Sequence, residues 1–144
     1  MKNVTELLKS KPARPMVSVK PEDTVLDAIK VLAREDIGAA VVLSGEKLVG
    51  IFSERDYTRK IVLKGRSSES TRVEEVMTAN VICVSPRTKT RDCMGLMSEK
   101  GIRHLPVVDE GRVVAMISIR DIVTDIIADQ EFTISQLESY ISGQ

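Results

Sequence analysis

Aromatic side chains are almost missing: two Tyr, two Phe and no Trp make up 3% of the 144 residues. Single-strand nucleic-acid binders stack bases on such rings, so that class is excluded and the core must be aliphatic. Neither sign of charge is in excess. The 21 Lys and Arg offset the 21 Asp and Glu, giving a formal net charge of zero. That argues against a phosphate-backbone binder, though not against a small local basic pocket. Cysteine is scarce too. Cys83 and Cys93 form no Cys-x-x-Cys pair and the only histidine is His104, so neither a disulfide framework nor a zinc site is expected. Both thiols read as packing residues. No apolar run approaches the roughly 20 residues that span a bilayer, and Met1-Lys2-Asn3-Val4-Thr5-Glu6 has no signal-peptide core. The expected setting is cytoplasmic and reducing, with no membrane and no nucleic acid.

What the chain does have is 42% hydrophobic and 29% charged residues, a globular balance, and an internal repeat. With Pro21 placed under Pro86, an offset of about 65 residues, the two halves align without a gap. Val19 meets Val84, Asp27 meets Asp92, Ile37 meets Ile102, and Val42 meets Val107. Ser53 falls on Ser118 and Arg55-Asp56 on Arg120-Asp121. The polar coincidences carry the argument, because apolar ones recur by chance between amphipathic segments.

Each half reads as β-α-β-β-α. Val17-Ser18-Val19 is extended and Lys20-Pro21 stops it. Asp23 or Thr24 caps a helix running to about Arg34, which Gly38 ends. Ala39 to Leu43 is a buried strand, Ser44-Gly45-Glu46 a hairpin turn, Lys47 to Ser53 the return strand, and Glu54 to about Leu63 a second helix. In the second half Val81 to Val84 is extended and Lys89 to about Glu99 helical. Leu105 to Val108 and Arg112 to Ser118 are strands, and Arg120 to about Asp129 is the closing helix. Gly65 to Thr71 is a loop, and Thr71-Arg72-Val73-Glu74 offers a capping-box start for a short helix. The tail, with Phe132, Ile134, Leu137 and Ile141 near helical spacing, is an amphipathic helix whose apolar stripe should be buried. The expected fold class is α/β (α+β): two tandem pseudo-twofold-related repeats packed sheet to sheet, plus this C-terminal helix. The expected organisation is 1–64, 65–129 and 130–144: N-terminal segment with first repeat, linker with second repeat, and tail.

Val76-Met77-Thr78, Arg103-His104-Leu105-Pro106-Val107-Val108-Asp109, and the strand endings Gly50-Ile51-Phe52-Ser53-Glu54-Arg55-Asp56 and Ala115-Met116-Ile117-Ser118-Ile119-Arg120-Asp121 resemble CBS domains. The resemblance covers about residues 12–130 and leaves no room for an enzyme domain, so the chain looks like a stand-alone CBS pair, or Bateman module. It implies a non-catalytic regulatory or energy-sensing module without a catalytic cofactor. The ligand would be adenosine-containing (AMP, ADP, ATP, NAD(H) or S-adenosylmethionine), bound in two clefts between the repeats. One cleft would take Ser53, Arg55 and Asp56, with Thr78, Val81 and Ile102 near the base. The other would take Ser118 and Asp121 with Arg14, Met16, Ile37 and Gly38; Arg103 and His104 match positions that reach phosphates in relatives. The resemblance also implies a homodimer and a regulated partner protein.

Independent physics agrees with the site. A carboxylate at a helix start can accept both protons of a vicinal diol, and the neighbouring helix amides favour an anion. Read singly, Asp56 and Asp121 are equally good helix caps, and Arg55, Arg59 and Lys60 an ordinary solvated helix face. The alternative function is a ligand-free oligomerisation or protein-interaction module regulating a partner enzyme. The two clefts should differ, since Arg103-His104 stands where the first repeat has Gly38-Ala39, and Ala115 where it has Gly50.

Overall fold

A computed structural model describes residues 2–11 and 16–142. Its elements are α1 (Val4–Ser10), β1 (Ser18–Val19), α2 (Val25–Glu35), β2 (Ala39–Ser44), β3 (Lys47–Ser53) and α3 (Glu54–Asp56), which runs into a π-helical turn over Tyr57–Val62. Then come α4 (Val73–Val76), α5 (Thr90–Lys100), β4 (His104–Asp109), β5 (Arg112–Ser118) and α6 (Ile119–Ile141). The chain is thus a mixed α/β protein in which helix, two strands and helix occur in that order twice, preceded by a strand only in the first repeat.

Two compact units emerge, and each draws on both halves of the sequence. One contains the segment around α1, Ser85–Leu105, and the chain from Ile117 onward. The other contains the stretch up to Val84 together with Pro106–Met116.

In the second of these, β1, β2 and β3 form a sheet in that order, with β1 parallel and β3 antiparallel to β2. The pairs Ser18↔Val41 and Ala40↔Phe52 set the register, which shifts at Val42/Leu43. Val25, Ala28 and Leu32 lie three and four residues apart on α2, so they share one face. They bury with Val42, Phe52, Ile61, Val73 and Val76 in one aliphatic cluster, as the shortage of aromatics requires. Thr24, not Asp23, caps α2, its hydroxyl accepting from the Asp27 amide at 3.1 Å. Asp23 instead accepts from the Lys20 amide at 2.9 Å.

Gly38 does not end α2. The helix stops at Asp36, which is left-handed with φ 53°. Gly101 holds the equivalent place after α5 with φ 64°. Asp tolerates that region better than most side chains, so one repeat stops with Asp and the other with Gly. Before α4 the cap also differs from expectation. The Glu75 carboxylate accepts from the Arg72 amide at 2.7 Å, while the Thr71 carbonyl is taken by Val25.

The second repeat has a smaller sheet. β4 and β5 pair as two strands, and Val84 touches β4 through a single parallel bridge to Val107. The expected strand from Val81 is therefore reduced to one residue, because the Val81 amide turns back to the Ala79 carbonyl at 3.1 Å.

α1 was not foreseen, although Asn3 and Glu6 form a capping box that the sequence displays. It buries Val4 and Leu7, and hydrogen bonds from Val4 to Thr88 and from Thr5 to Pro86 tie it down at 2.8 and 3.0 Å. The closing helix and the tail are one continuous helix, α6, and no break separates them near Asp129. Phe132, Ile134, Leu137 and Ile141 are exposed, not buried. Cys93 is buried and packs as expected, whereas Cys83 is exposed. No helix among the described residues is long and apolar enough to cross a membrane.

Candidate functional site

The duplicated Ser-x-x-Asp motif forms the same local structure in both repeats. At the end of β3, Ser53 is still extended (φ −126°, ψ 163°), which makes it the cap of α3. Its hydroxyl oxygen accepts from the Asp56 amide at 3.1 Å, and Asp56 Oδ2 accepts from the Ser53 amide at 3.0 Å. At the end of β5, Ser118 accepts from the Asp121 amide at 3.2 Å, and Asp121 Oδ2 accepts from the Ser118 amide at 2.8 Å. Each carboxylate is thereby fixed at the first turn of a helix, where the exposed amides favour negative charge.

Asp56 is only 7% exposed, and a buried carboxylate must be fully paired. Its Oδ1 receives Lys60 Nζ at 3.1 Å and the Thr78 hydroxyl at 3.4 Å. Lys60 also donates to the Val76 carbonyl at 2.8 Å. It is therefore an internal tether and not part of a merely solvated face. Thr78 is brought there by a reciprocal backbone pair with Ile51, both bonds 2.9 Å. Gly50 permits this approach: a Cβ on it would lie 2.6 Å from Met77 Sδ and 3.0 Å from the Thr78 carbonyl oxygen.

Asp121 is held by a residue that sequence reasoning missed. Lys11, at the end of α1, places Nζ 2.9 Å from Asp121 Oδ2. No pattern pointed to it, because the contact depends on α1 packing beside α6. His104 lies close enough for Asp121 to raise its pKa, but burial, the larger effect, pushes the imidazole below its ordinary 6.5, and Arg103 adds to the lowering. Burial thus works against the charged imidazole, which makes His104 the poorer of the two cationic donors expected beside Asp121. Arg103 is exposed, and its carbonyl accepts from the Ile119 amide at 2.9 Å. In the first repeat the Gly38 carbonyl does the same for Glu54 at 3.0 Å.

The structure thus brings Ser53, Asp56 and Thr78 together, and Ser118, Asp121 and His104 together. Arg55 is exposed on α3, and Val81 is half-buried beyond Thr78. Ile102, expected near Asp56, falls in the compact unit that does not contain Asp56, and Met16, Ile37 and Gly38, expected near Asp121, in the one that does not contain Asp121, whereas Arg103 shares the unit of Asp121. Arg14 lies outside the described residues. An open groove of about 550 Å³ lies elsewhere, between the β2–β3 and β4–β5 turns, with Glu46, Cys83 and Arg112 on its walls. It contains none of the expected site residues. Among the described residues no group of His, Cys, Asp or Glu could hold a metal ion.

Each site offers a fixed carboxylate with one ammonium beside it. That arrangement suits a vicinal diol attached to an anion, since the carboxylate accepts hydroxyl protons while the cation faces a phosphate.

Comparison with known proteins bears on the family. The CBS domain model matches residues 4–63 and 73–128. The mitochondrial CBS domain-containing protein CBSX3 of Arabidopsis thaliana is 42% identical over 127 residues, which are 85% of this chain and 62% of that protein's length. The chain therefore spans less than two thirds of that relative. A solved CBS-domain protein from Burkholderia ambifaria is 50% identical with a TM-score of 0.86, over 90% of this chain and 96% of its own. The CBS domain protein PAE2072 of Pyrobaculum aerophilum, solved in complex with AMP, is 27% identical with a TM-score of 0.74, over 83% and 89% of the two chains. With both repeats matched and the Ser-x-x-Asp turns in place, this chain belongs to the CBS-domain family and carries a pair of CBS repeats.

Proposed function

We propose that the chain is a non-catalytic regulatory module that binds an adenosine-containing ligand (AMP, ADP, ATP or NAD(H)) at its two Ser-x-x-Asp turns. The carrying observation is the double capping box that holds Asp56 and Asp121 rigidly at helix starts. The AMP complex of PAE2072 supports the ligand class. The ribose hydroxyls take the place that Thr78 and Lys60 hold on Asp56 Oδ1, and the displaced ammonium turns to the phosphate. At Asp121 the same exchange involves Lys11. The protein works in the cytoplasm as a homodimer, and a partner protein reads the change that ligand binding produces.

Calorimetry on nucleotide-free protein tests this with AMP, ATP and NAD(H). Asp56→Ala and Asp121→Ala should each weaken one site. A hydrogen bond to a charged group contributes about 1.5–3 kcal/mol, so each altered site should weaken about tenfold or more. Nucleotides lacking both ribose hydroxyls, if bound as tightly as the ribose forms, would overturn the proposal.

A further inference from the structure

Both Ser-x-x-Asp turns carry an ammonium on the carboxylate, yet the two ammoniums come from unrelated parts of the chain. At Asp56 it is Lys60, four residues on, with Nζ 3.1 Å from Oδ1 and 2.8 Å from the Val76 carbonyl oxygen. At Asp121 it is Lys11, 110 residues earlier, with Nζ 2.9 Å from Oδ2. In the repeat alignment Asp125 stands in the place of Lys60, and Val76 in the place of Lys11. The second repeat, whose helix offers an acid at that position, thus receives its ammonium from the counterpart of the residue that Lys60 touches in the first. Packing does not require both lysines. Asp56 is nearly buried, and a carboxylate there needs a countercharge. The Asp121 side chain is 21% exposed and already accepts from the Ser118 amide. Nor does α1 rest on Lys11 alone. Val4 and Leu7 are fully buried, the Val4 amide donates to the Thr88 carbonyl at 2.8 Å, and the Thr5 hydroxyl to the Pro86 carbonyl at 2.9 Å. Lys2 ties the segment just before α1 to Asp125 and Asp129. α1 is therefore a braced arm that delivers an ammonium to Asp121.

We infer that Lys11 and Lys60 are specificity-determining residues. They make each site select an adenosine ligand that carries a phosphate, against the neutral nucleoside and against the cationic sulfonium of S-adenosylmethionine. The inference rests on the diol reading given above. A ribose whose hydroxyls take the aspartate draws the charge of the carboxylate away from the ammonium. The Lys11 and Lys60 side chains are 25% and 43% exposed, so neither is fully in water. Each ammonium then needs a new anion within the sweep of its own stem. A 5′-phosphate on the same ribose supplies that anion, and lysine meets it as a mobile point charge. Adenosine supplies none and leaves the ammonium without its partner. A sulfonium on the same 5′ carbon brings like charge toward it.

Calorimetry on the nucleotide-free full chain compares AMP, adenosine and S-adenosylmethionine. The wild-type protein should bind AMP at least about tenfold more tightly than adenosine, and S-adenosylmethionine more weakly than adenosine. Lys11→Met should remove about tenfold of the preference for AMP at one site while leaving the affinity for adenosine unchanged, and Lys60→Met should do the same at the other. Lys11→Arg and Lys60→Arg should keep most of the preference. Far-UV circular dichroism checks the fold. Lys60 balances a buried carboxylate, so Lys11→Met decides alone if Lys60→Met unfolds. The inference is overturned if adenosine or S-adenosylmethionine binds the wild-type protein as tightly as AMP does. It is also overturned if Lys11→Met weakens AMP and adenosine equally, as a lysine that only braced the turn would. Asp121→Ala separates these results from the diol reading. If AMP and adenosine bind equally and Asp121→Ala weakens both, the charge selection fails and the diol reading stands. If no nucleoside or nucleotide binds, both fall.

Discussion

Lys11 and Asp121 stand 2.9 Å apart although 110 residues separate them in the chain. In the first repeat the equivalent carboxylate, Asp56, is held from within its own helical segment by Lys60. The position of Lys60 in the second repeat is occupied by Asp125, a reversal of charge. Asp125 draws in Lys2, and Asp121 is served by Lys11, so α1 is pinned to α6 at both ends.

Lys11→Met should therefore loosen α1. Both partners are partly buried, 25% and 21% exposed, so the loss should reach the upper end for an ion pair near the surface, about 1 kcal/mol. Thermal unfolding with and without salt checks this. The difference between variant and wild type should shrink at about 1 M salt, where the screening length is about 3 Å. A salt-independent difference would point to lost packing of the lysine stem instead.

The two sites should respond differently to salt. The Arg103 carbonyl accepts from the Ile119 amide, two residues before Asp121, while in the first repeat the Gly38 carbonyl accepts from Glu54, two residues before Asp56. Ligand titrations of Asp56→Ala and Asp121→Ala, each with one site unaltered, should show a steeper salt dependence for the site at Asp121. Arg103→Ala should weaken AMP more than NAD(H), by about tenfold if the contact is a charge-assisted bond. Equal weakening of both ligands would refute the difference.

His104 is the only histidine, so its proton NMR signal is assigned without ambiguity. Its titration should fall below the ordinary 6.5, chiefly because the ring is buried. With the folded pKa below the unfolded one, the unfolded chain binds the extra proton first. Stability from neutral His104 is thus complete above about pH 6.5 and declines as pH falls through the folded pKa. His104→Gln should flatten that part of the stability profile. Arg103→Ala should move the titration upward, and Asp121→Asn downward.

Gly50→Ala should destabilise the fold, because its new Cβ would meet Met77 Sδ and the Thr78 carbonyl. The expected loss is about 1–3 kcal/mol, typical of overpacking, with weaker ligand binding as Thr78 is pushed from Asp56. Urea unfolding measures the first effect. Met77→Ala should restore only part of it, since the backbone carbonyl at 3.0 Å remains.

The repeat and the capping of Asp56 and Asp121 were readable from residues alone. They rest on interactions within three or four positions, and the spacing of Ser53 to Asp56 and Ser118 to Asp121 already contains them. Helical and strand periods were readable for the same reason. α1 was also written in the sequence, as Asn3 and Glu6, but a seven-residue helix is too short to stand without its buried contacts.

Other features belong to the tertiary structure alone. Lys60 and Arg59 look alike in sequence, and only the place of the Val76 carbonyl distinguishes the tether from its neighbour. The lowered pKa of His104 follows from burial that no local pattern encodes. The stripe of α6 was plain from its spacing, yet periodicity says which residues share a face and not what that face meets. Packing decided that: Ile122 and Asp125 turned inward, and Ile134 and Leu137 were left facing water.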